Sequence, residues 1–219
     1  MAGIKNRTEM MEKMDKEMLE QVLRIFMRYG IKSMTMDDVS RELKISKKTL
    51  YKYVTDKADL VTKVLQFECD SDHEMVEKFA AESDSAIEEL LRITHHIGEK
   101  VSAVHPSIHF DLEKYYPEAW EVFSNYKKNT AYRTVLANLK RGIREGYYRK
   151  DLNPEIMTRI HISRIDIVFD GELFPPSLFH FGDVFREMMT YHIHGIANEK
   201  GIELLKQKLK NDQIIKLSH

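Results

Sequence analysis

Apolar residues recur at helical spacing along most of this chain, and this periodicity restricts the fold more than any other feature of the sequence. In segment 9–29, the residues Met18, Val22, Ile25 and Phe26 follow one another at intervals of one to four positions and share one helix face. Glycine (9) and proline (5) are scarce among the 219 residues, and no segment alternates as a strand does. The sequence therefore predicts an all-α protein.

Residues that favour helix ends separate these apolar segments. Gly30 fits the position that follows a helix, and Thr35 with Asp38 forms the pattern of a capping box that opens the next one. Ser46 is placed to cap a further helix, and Pro117 suits the first turn of a long one. These signals predict helices at 9–29, 36–43, 47–54, 57–79, 85–101, 107–115, 117–145, 154–171, 177–197 and 199–217.

Charge is distributed unevenly, although the whole chain carries a formal net charge of only -1. Residues 1–57 contain 13 Lys and Arg against 9 Asp and Glu, whereas residues 58–219 contain 21 against 26 and all ten histidines. A basic part joined to an acidic one indicates that only the basic part faces a polyanion. We therefore predict a basic domain at 1–57 and a larger helical domain at 58–219.

Several classes of protein are excluded by composition. The single cysteine, Cys69, cannot form an internal disulfide. No segment approaches the roughly 20 consecutive apolar residues of a membrane span, and residues 1–16 are too polar for a signal peptide. We expect a cytoplasmic protein without a membrane partner.

Segment 35–57 has the pattern of a helix-turn-helix, because a three-residue turn joins its two short predicted helices. Val39, Leu43 and Leu50 fit the inner faces of these helices. Between residues 44 and 57 there are five lysines and one acid, with hydroxyl side chains among them. Lysines and hydroxyls are the usual partners of DNA phosphates. The segment therefore predicts binding to double-stranded DNA.

Residues 35–60 read TMDDVSRELKISKKTLYKYVTDKADL and resemble the TetR family of transcriptional regulators, with a likeness that is specific over about 19–60. The resemblance implies a homodimeric repressor that binds a palindromic operator and responds to a small effector. By position, it implies that one set of residues contacts base edges or nearby phosphates and that a second set contacts the DNA backbone. The first set is Lys47, Lys48, Thr49 and Lys52, and the second is Thr35, Ser46, Tyr51, Tyr53 and Lys57.

Three residues depart from the pattern of the family. Lys44 stands where the family usually has glycine, at a position that tends to need a positive φ, so we expect a mildly strained or differently shaped turn. Ser40 replaces the usual alanine, and Val54 replaces the usual phenylalanine, which thins the packing. None of the three removes a predicted DNA contact.

The resemblance also implies that residues 58–219 bind an effector and dimerise. The apolar helices 154–171 and 177–197 are the predicted dimer helices, with monomer core as the alternative. Helix 199–217 has no predicted role, and no cofactor is expected. Candidate residues lining the pocket, which equally fit an ordinary core, are His95, His109, Phe110, Trp120, Phe123, Tyr126 and Phe169.

Two other classes of function compete with this interpretation. A helical small-molecule binding or interaction protein would have the same helices without binding an operator. A metalloenzyme would need histidines that converge, but the pairs 95/96, 105/109 and 192/194 have poor geometry for one metal ion. The chain has no nucleophile elbow, Walker loop, dinucleotide fingerprint or HExxH motif, so we expect neither catalysis nor a metal site.

Overall fold

The computed structural model describes residues 14–211, and the regular elements in this range are all helical, which confirms the predicted all-α fold. A π-helical turn, Tyr126–Ala131, joins two of the helices, and a short 3-10 helix covers Asp166–Phe169. Within the described range, no helix has the length and apolar content needed to cross a membrane. The α-helices are α1 Lys16–Tyr29, α2 Met36–Glu42, α3 Lys47–Leu50, α4 Lys57–Glu82, α5 Ala86–Ala103, α6 Ile108–Tyr115, α7 Pro117–Asn125, α8 Tyr132–Glu145, α9 Pro154–Ser163, α10 Phe181–Ile196 and α11 Glu199–Asn211.

Some helices are shorter than predicted. Helix α1 begins after Asp15, whose Oδ1 accepts the Met18 N–H at 2.8 Å; the predicted helical residues 9–13 and 212–217 lie outside the described range. Helix α3 ends at Leu50 rather than at Val54, since the N–H groups of Lys52 and Tyr53 bond to carbonyls three residues back and tighten the turn. The helix predicted at 154–171 ends at Ser163.

Packing divides the chain into two compact units. The first contains the described residues up to Ser71 together with Val104–Ser124. The second contains Asp72–Ala103 and the described residues from Asn125 onward. The domain boundary predicted after residue 57 stays a prediction.

The first unit has a continuous core in which α1, α2 and α3 meet. Val22, Val39, Leu50 and Val54 are fully buried there, and Leu112 of α6 packs into the same cluster. Burying one side chain of this size stabilises the fold by roughly 1.5–3 kcal/mol. The core therefore fixes the orientation of α3, although α3 has only four residues.

In the second unit, α10 packs against α5 and α9 packs against α8. A polar network ties α5 to α8, because Arg141 Nη1 lies 3.0 Å from Glu89 Oε2 and Arg141 Nη2 donates to the Ser83 carbonyl at 2.7 Å. Burial raises the pKa of Glu89, and the hydrogen bond from Arg141 opposes that shift. Asn138 accepts a hydrogen bond from the buried Tyr148 hydroxyl at 2.9 Å. These bonds satisfy polar groups that would otherwise destabilise the core.

The turn after α2 confirms the positive φ expected at Lys44, which has φ 56° and is the one non-glycine residue with positive φ in the part of the chain that the structure describes. The Ile45 N–H bonds to the Ser40 carbonyl and the Lys44 N–H to the Arg41 carbonyl, each at 3.0 Å. This pair of bonds is the Schellman arrangement that ends many helices and favours glycine at the position of Lys44.

Replacing Lys44 with glycine should therefore stabilise the protein. Removing the Cβ relieves the left-handed strain of about 1–2 kcal/mol, while the greater freedom of unfolded glycine costs about 0.5–1 kcal/mol. We expect the free energy of unfolding in urea to rise by roughly 0.5–1 kcal/mol for Lys44→Gly. Lys44→Ala is the matched control, since it removes the same charge and retains the Cβ. An equal gain in both variants would contradict the conformational explanation.

Candidate nucleic-acid interface

Hydrogen bonds at the start of α2 set the direction of this helix. Thr35 Oγ1 accepts the Asp38 N–H at 3.2 Å, and Asp38 Oδ2 accepts the Thr35 N–H at 3.0 Å, which confirms the predicted capping box. The Thr35 hydroxyl also donates to Asp38 Oδ2 at 2.6 Å. Hydrogen bonding from Thr35 lowers the pKa of the Asp38 carboxyl. Asp38 is thus occupied within its own helix.

Ser46 has the same role at the start of α3. Its Oγ accepts the Thr49 N–H at 3.0 Å and lies 2.8 Å from Thr49 Oγ1. Leu50, one residue further on, is buried in the core. A hydrogen-bonded start and a buried end thus hold α3 in one orientation.

The outward surface of α3 and the turn after it presents most of the side chains predicted to contact DNA. Lys47, Lys48 and Lys52 are exposed, and the Tyr51 side chain is 42% exposed. Thr49 and Tyr53 are half-buried, whereas Thr35 and Ser46 are exposed. We name this surface, Lys47–Tyr53 together with the preceding caps Thr35 and Ser46, the α3 surface.

An acidic residue that the sequence reasoning did not single out lies against this surface. Asp37, in the first turn of α2, has its Oδ2 2.9 Å from Lys47 Nζ. The hydrogen bond raises the pKa of the Lys47 ammonium. The two residues are ten positions apart in sequence, and their contact depends on the angle between two helices. No sequence signal points to such a contact.

Lys57, predicted to contact the DNA backbone, is directed towards its own chain. Its Nζ lies 3.4 Å from the Lys32 carbonyl oxygen and 5.9 Å from the ring centroid of Tyr116. Burial lowers the pKa of the Lys57 ammonium, and the Asp111 carboxylate opposes that shift. The structure thus places Lys57 beside α6 rather than among the exposed lysines of the α3 surface.

Helix α6 is bonded to the segment that precedes α2. The buried Asp111 accepts the Lys32 N–H at 3.3 Å and the Ser107 hydroxyl at 2.9 Å. The Tyr115 hydroxyl accepts from Lys32 Nζ at 3.1 Å. The sequence does not reveal the bonds of Lys32 to Asp111 and Tyr115, because 79 and 83 positions separate the partners and no local pattern connects them.

The structure brings three of the seven candidate effector residues together in the first unit. The His109 ring lies 4.9 Å from Trp120 and 6.4 Å from Phe123, both edge to face, and Trp120 lies 5.8 Å from Phe123. Phe110 belongs to the same unit but is 54% exposed, with its ring 6.2 Å from that of Tyr115. These contacts fit both a pocket wall and an aromatic core.

The other three candidates lie in the second unit. His95 pairs with Glu99 at 3.6 Å along α5, Tyr126 begins the π-helical turn, and Phe169 packs on Phe181 with 5.4 Å between ring centroids. An open surface groove of about 580 Å³ in this unit contains none of the predicted residues. It is lined by Arg149, Ala197, Asn198, Glu199, Ile202, Glu203 and Lys206.

The histidine contacts differ from the pairs considered in the sequence. His161 and His192 lie with their ring centroids 4.5 Å apart, and Arg164 Nη2 is 3.2 Å from His192 Nδ1. Burial and neighbouring positive charge lower the pKa of His161 to about 4 and that of His192 to about 3. Among residues 14–211, no three His, Cys, Asp or Glu side chains are placed to hold a metal ion.

Comparisons with known proteins agree with this geometry. Residues 19–64 match the model of the family described as bacterial regulatory proteins, tetR family. Over 188 residues the chain is 26% identical to the HTH-type transcriptional regulator YvaF of Bacillus subtilis (strain 168), which covers 85% of this chain and 97% of that relative.

Solved structures of low sequence identity share the fold. The regulator FadR from Bacillus subtilis, in complex with stearoyl-CoA, has a TM-score of 0.62 at 14% identity and covers 82% of this chain and 97% of its own. A transcriptional regulator from Saccharomonospora viridis, in complex with choline, has a TM-score of 0.65 at 17% identity, with coverages of 83% and 96%. The helical fold, the helix-turn-helix and the similarity to these proteins together indicate a helix-turn-helix transcriptional regulator. Residues 19–64 are similar to the TetR family of these regulators.

The network around Asp111 predicts a specific loss of stability. In Asp111→Ala, the Lys32 N–H and the Ser107 hydroxyl lose their acceptor, so we expect the free energy of unfolding in urea to fall by roughly 1–3 kcal/mol. Tyr115→Phe, which removes the hydroxyl that bonds to Lys32 at the surface, should change it by less than about 0.5 kcal/mol. Similar losses in both variants would contradict the role assigned to the Asp111 carboxylate.

Proposed function

We propose that this protein is a TetR-family regulator, a homodimeric repressor that binds a palindromic operator in double-stranded DNA and is released by a small-molecule effector. The observation that most supports this proposal is the exposed cationic α3 surface, whose orientation is fixed by two capped helices and a buried core. In a two-fold dimer, a palindromic operator presents its half-sites about one DNA turn, or roughly 34 Å, apart. Operator binding would place the protein in the cytoplasm.

The DNA contacts are proposed to divide between bases and backbone. Lys47, Lys48, Thr49 and Lys52 would meet base edges or nearby phosphates, since three of them are exposed lysines at or after the start of α3. The backbone would be held by Thr35, Ser46, Tyr51, Tyr53 and Lys57. Lys57 fits this set least well, because its Nζ is close to the Lys32 carbonyl.

The proposed dimer interface lies on α9, α10 and the segment between them. In the second unit, the large apolar side chains that stay exposed all lie between residues 156 and 191. They are Ile156, Ile160, Ile167, Leu173, Leu178, Phe179 and Tyr191. Isolated exposed apolar residues need no explanation, but such a concentration is typical of a self-association surface.

The Phe and Met residues on one face of α10 have a different partner. Phe181, Phe185 and Met189 are buried within the second unit, where α10 packs against α5. For this face of α10, the alternative of monomer core is the better description. The opposite side of α10, where Tyr191 is 75% exposed, is left for the partner.

The effector is proposed to be a small molecule with an apolar part. Relatives of the same fold are described with ligands as different as stearoyl-CoA and choline, so the fold accommodates several chemistries. The aromatic cluster of His109, Trp120 and Phe123 supports a pocket with apolar walls and few polar groups. His95, Phe110, Tyr126 and Phe169 remain proposed effector-binding residues because of their place in the sequence.

DNA binding is tested by selecting sequences from random duplex DNA with the full-length protein and measuring Kd at several salt concentrations. Lys48→Ala should relax the preference at one base-pair position, by roughly 1–3 kcal/mol of discrimination. Tyr51→Ala should weaken binding about equally on all sequences. Lys206→Ala, an exposed lysine of α11, is the control and should leave the affinity unchanged. Failure of the wild-type protein to enrich any sequence would refute operator binding.

The proposed interface predicts the oligomeric state. Ile160→Asp and Leu178→Asp each place a charge in an interface that excludes water, so we expect the dimer Kd to rise roughly hundredfold or more. Sedimentation equilibrium measures this change. Phe110→Asp is the matched control, since Phe110 is similarly exposed but belongs to the first unit. A monomeric wild-type protein, or dimers unaffected by both interface variants, would exclude this interface.

A further inference from the structure

The ion pair between Asp37 and Lys47 connects the two helices of the helix-turn-helix on their exposed side. Lys47 Nζ and Asp37 Oδ2 are 2.9 Å apart, and the side chains are 49% and 59% exposed, respectively. Lys47 is the first residue of α3, and Asp37 lies in the first turn of α2. The pair therefore presents a positive and a negative group side by side on the α3 surface.

Stability alone is a weak reason for this pair. Exposed ion pairs contribute at most about 1 kcal/mol and often nothing measurable. A carboxylate on a surface that approaches phosphates is also repelled by them, so it lowers the nonspecific part of DNA affinity. The neighbouring acid, Asp38, has other partners, because it bonds to Thr35 and lies 3.3 Å from Arg41. Asp37 is the carboxylate of α2 that is turned towards α3.

The chemistry of the pair complements one kind of base-pair edge. In the major groove, a C·G pair presents the N4 amino donor of cytosine beside the O6 and N7 acceptors of guanine. A carboxylate accepts from cytosine N4, and a lysine donates to guanine O6 or N7. An A·T pair also presents a donor beside an acceptor, but it carries the thymine methyl group next to O4 and offers lysine only separated acceptors.

We propose that Asp37 and Lys47 together form a specificity-determining pair that reads one C·G base pair, with the Asp37 carboxylate accepting from cytosine N4 and Lys47 donating to guanine O6 or N7. This inference rests on the operator binding proposed above. Asp37 has two effects on the neighbouring lysine. It holds the ammonium group away from phosphates, and it repels base edges that present only acceptors, which fixes the orientation of the C·G pair.

The experiment compares the sequence preferences of full-length variants, each selected from random duplex DNA and then measured on the wild-type site. On that site, replacing the contacted C·G pair with A·T should weaken wild-type binding about 5- to 150-fold, the range given by 1–3 kcal/mol. In Asp37→Ala this discrimination should fall below about threefold at that position and remain at the others. A double-mutant cycle with Lys47→Ala should be non-additive, because the two side chains act on the same base pair.

Asp37→Asn gives a result that a purely structural role would not produce. An amide can both donate and accept, which suits adenine N7 and N6. The preferred pair at this position should therefore change from C·G towards A·T, while Asp37→Asn keeps the shape of the side chain. Urea unfolding of each variant verifies that it is folded before its Kd is interpreted.

Glu20→Gln is the matched control, since it removes one negative charge from an exposed ion pair of α1, in which Arg24 lies 3.9 Å away. Its selected sequence should equal that of the wild-type protein. If the wild-type protein selects no sequence, the proposed function fails. If it selects a site and both Asp37 variants retain the same preference at every position, operator binding stands and the inference about this pair is overturned.

Discussion

The backbone turn at Lys44 determines how α2 and α3 are placed relative to each other. Its two hydrogen bonds, from Ile45 to Ser40 and from Lys44 to Arg41, form only when Lys44 adopts a left-handed conformation. That conformation costs a lysine about 1–2 kcal/mol, whereas burying Leu50 alone contributes roughly 1.5–3 kcal/mol. Core packing thus offsets the strain of the turn. The exposure of Lys48 and the contact of Lys47 with Asp37 both follow from this placement.

Features that depend on near neighbours in sequence were predictable, and features that depend on distant ones were not. The capping box of Thr35 with Asp38 joins residues three positions apart, so its pattern is visible without a structure. The positive φ at Lys44 was expected only because the resemblance supplied a glycine at that position. The bond between Asp111 and Lys32 spans 79 positions, and nothing in the local sequence specifies it.

The C-terminal helices show the limit of reading an apolar face. Periodicity indicated that one side of 177–197 would be buried, and the side that carries Phe185 and Met189 is indeed buried. Periodicity does not specify what covers that side, and in the structure α5 does so. The residues proposed for self-association, such as Ile160 and Leu178, form a less regular pattern that only their exposure reveals. Only the apolar residues that stay exposed in the single chain are therefore candidates for a partner surface.

Internal contacts also change the electrostatics of the proposed DNA interface. The sequence contains five lysines between residues 44 and 57, and a simple count would assign a released counterion to each phosphate they neutralise. In the structure, Lys47 is paired with Asp37 and Lys57 is directed at the Lys32 carbonyl. Fewer lysines are then oriented for phosphates than the count suggests. A DNA-binding domain with this arrangement should gain less of its affinity from phosphate contacts and more from base contacts. Its affinity for an operator should therefore exceed its affinity for nonspecific DNA by a larger ratio than its charge alone would indicate.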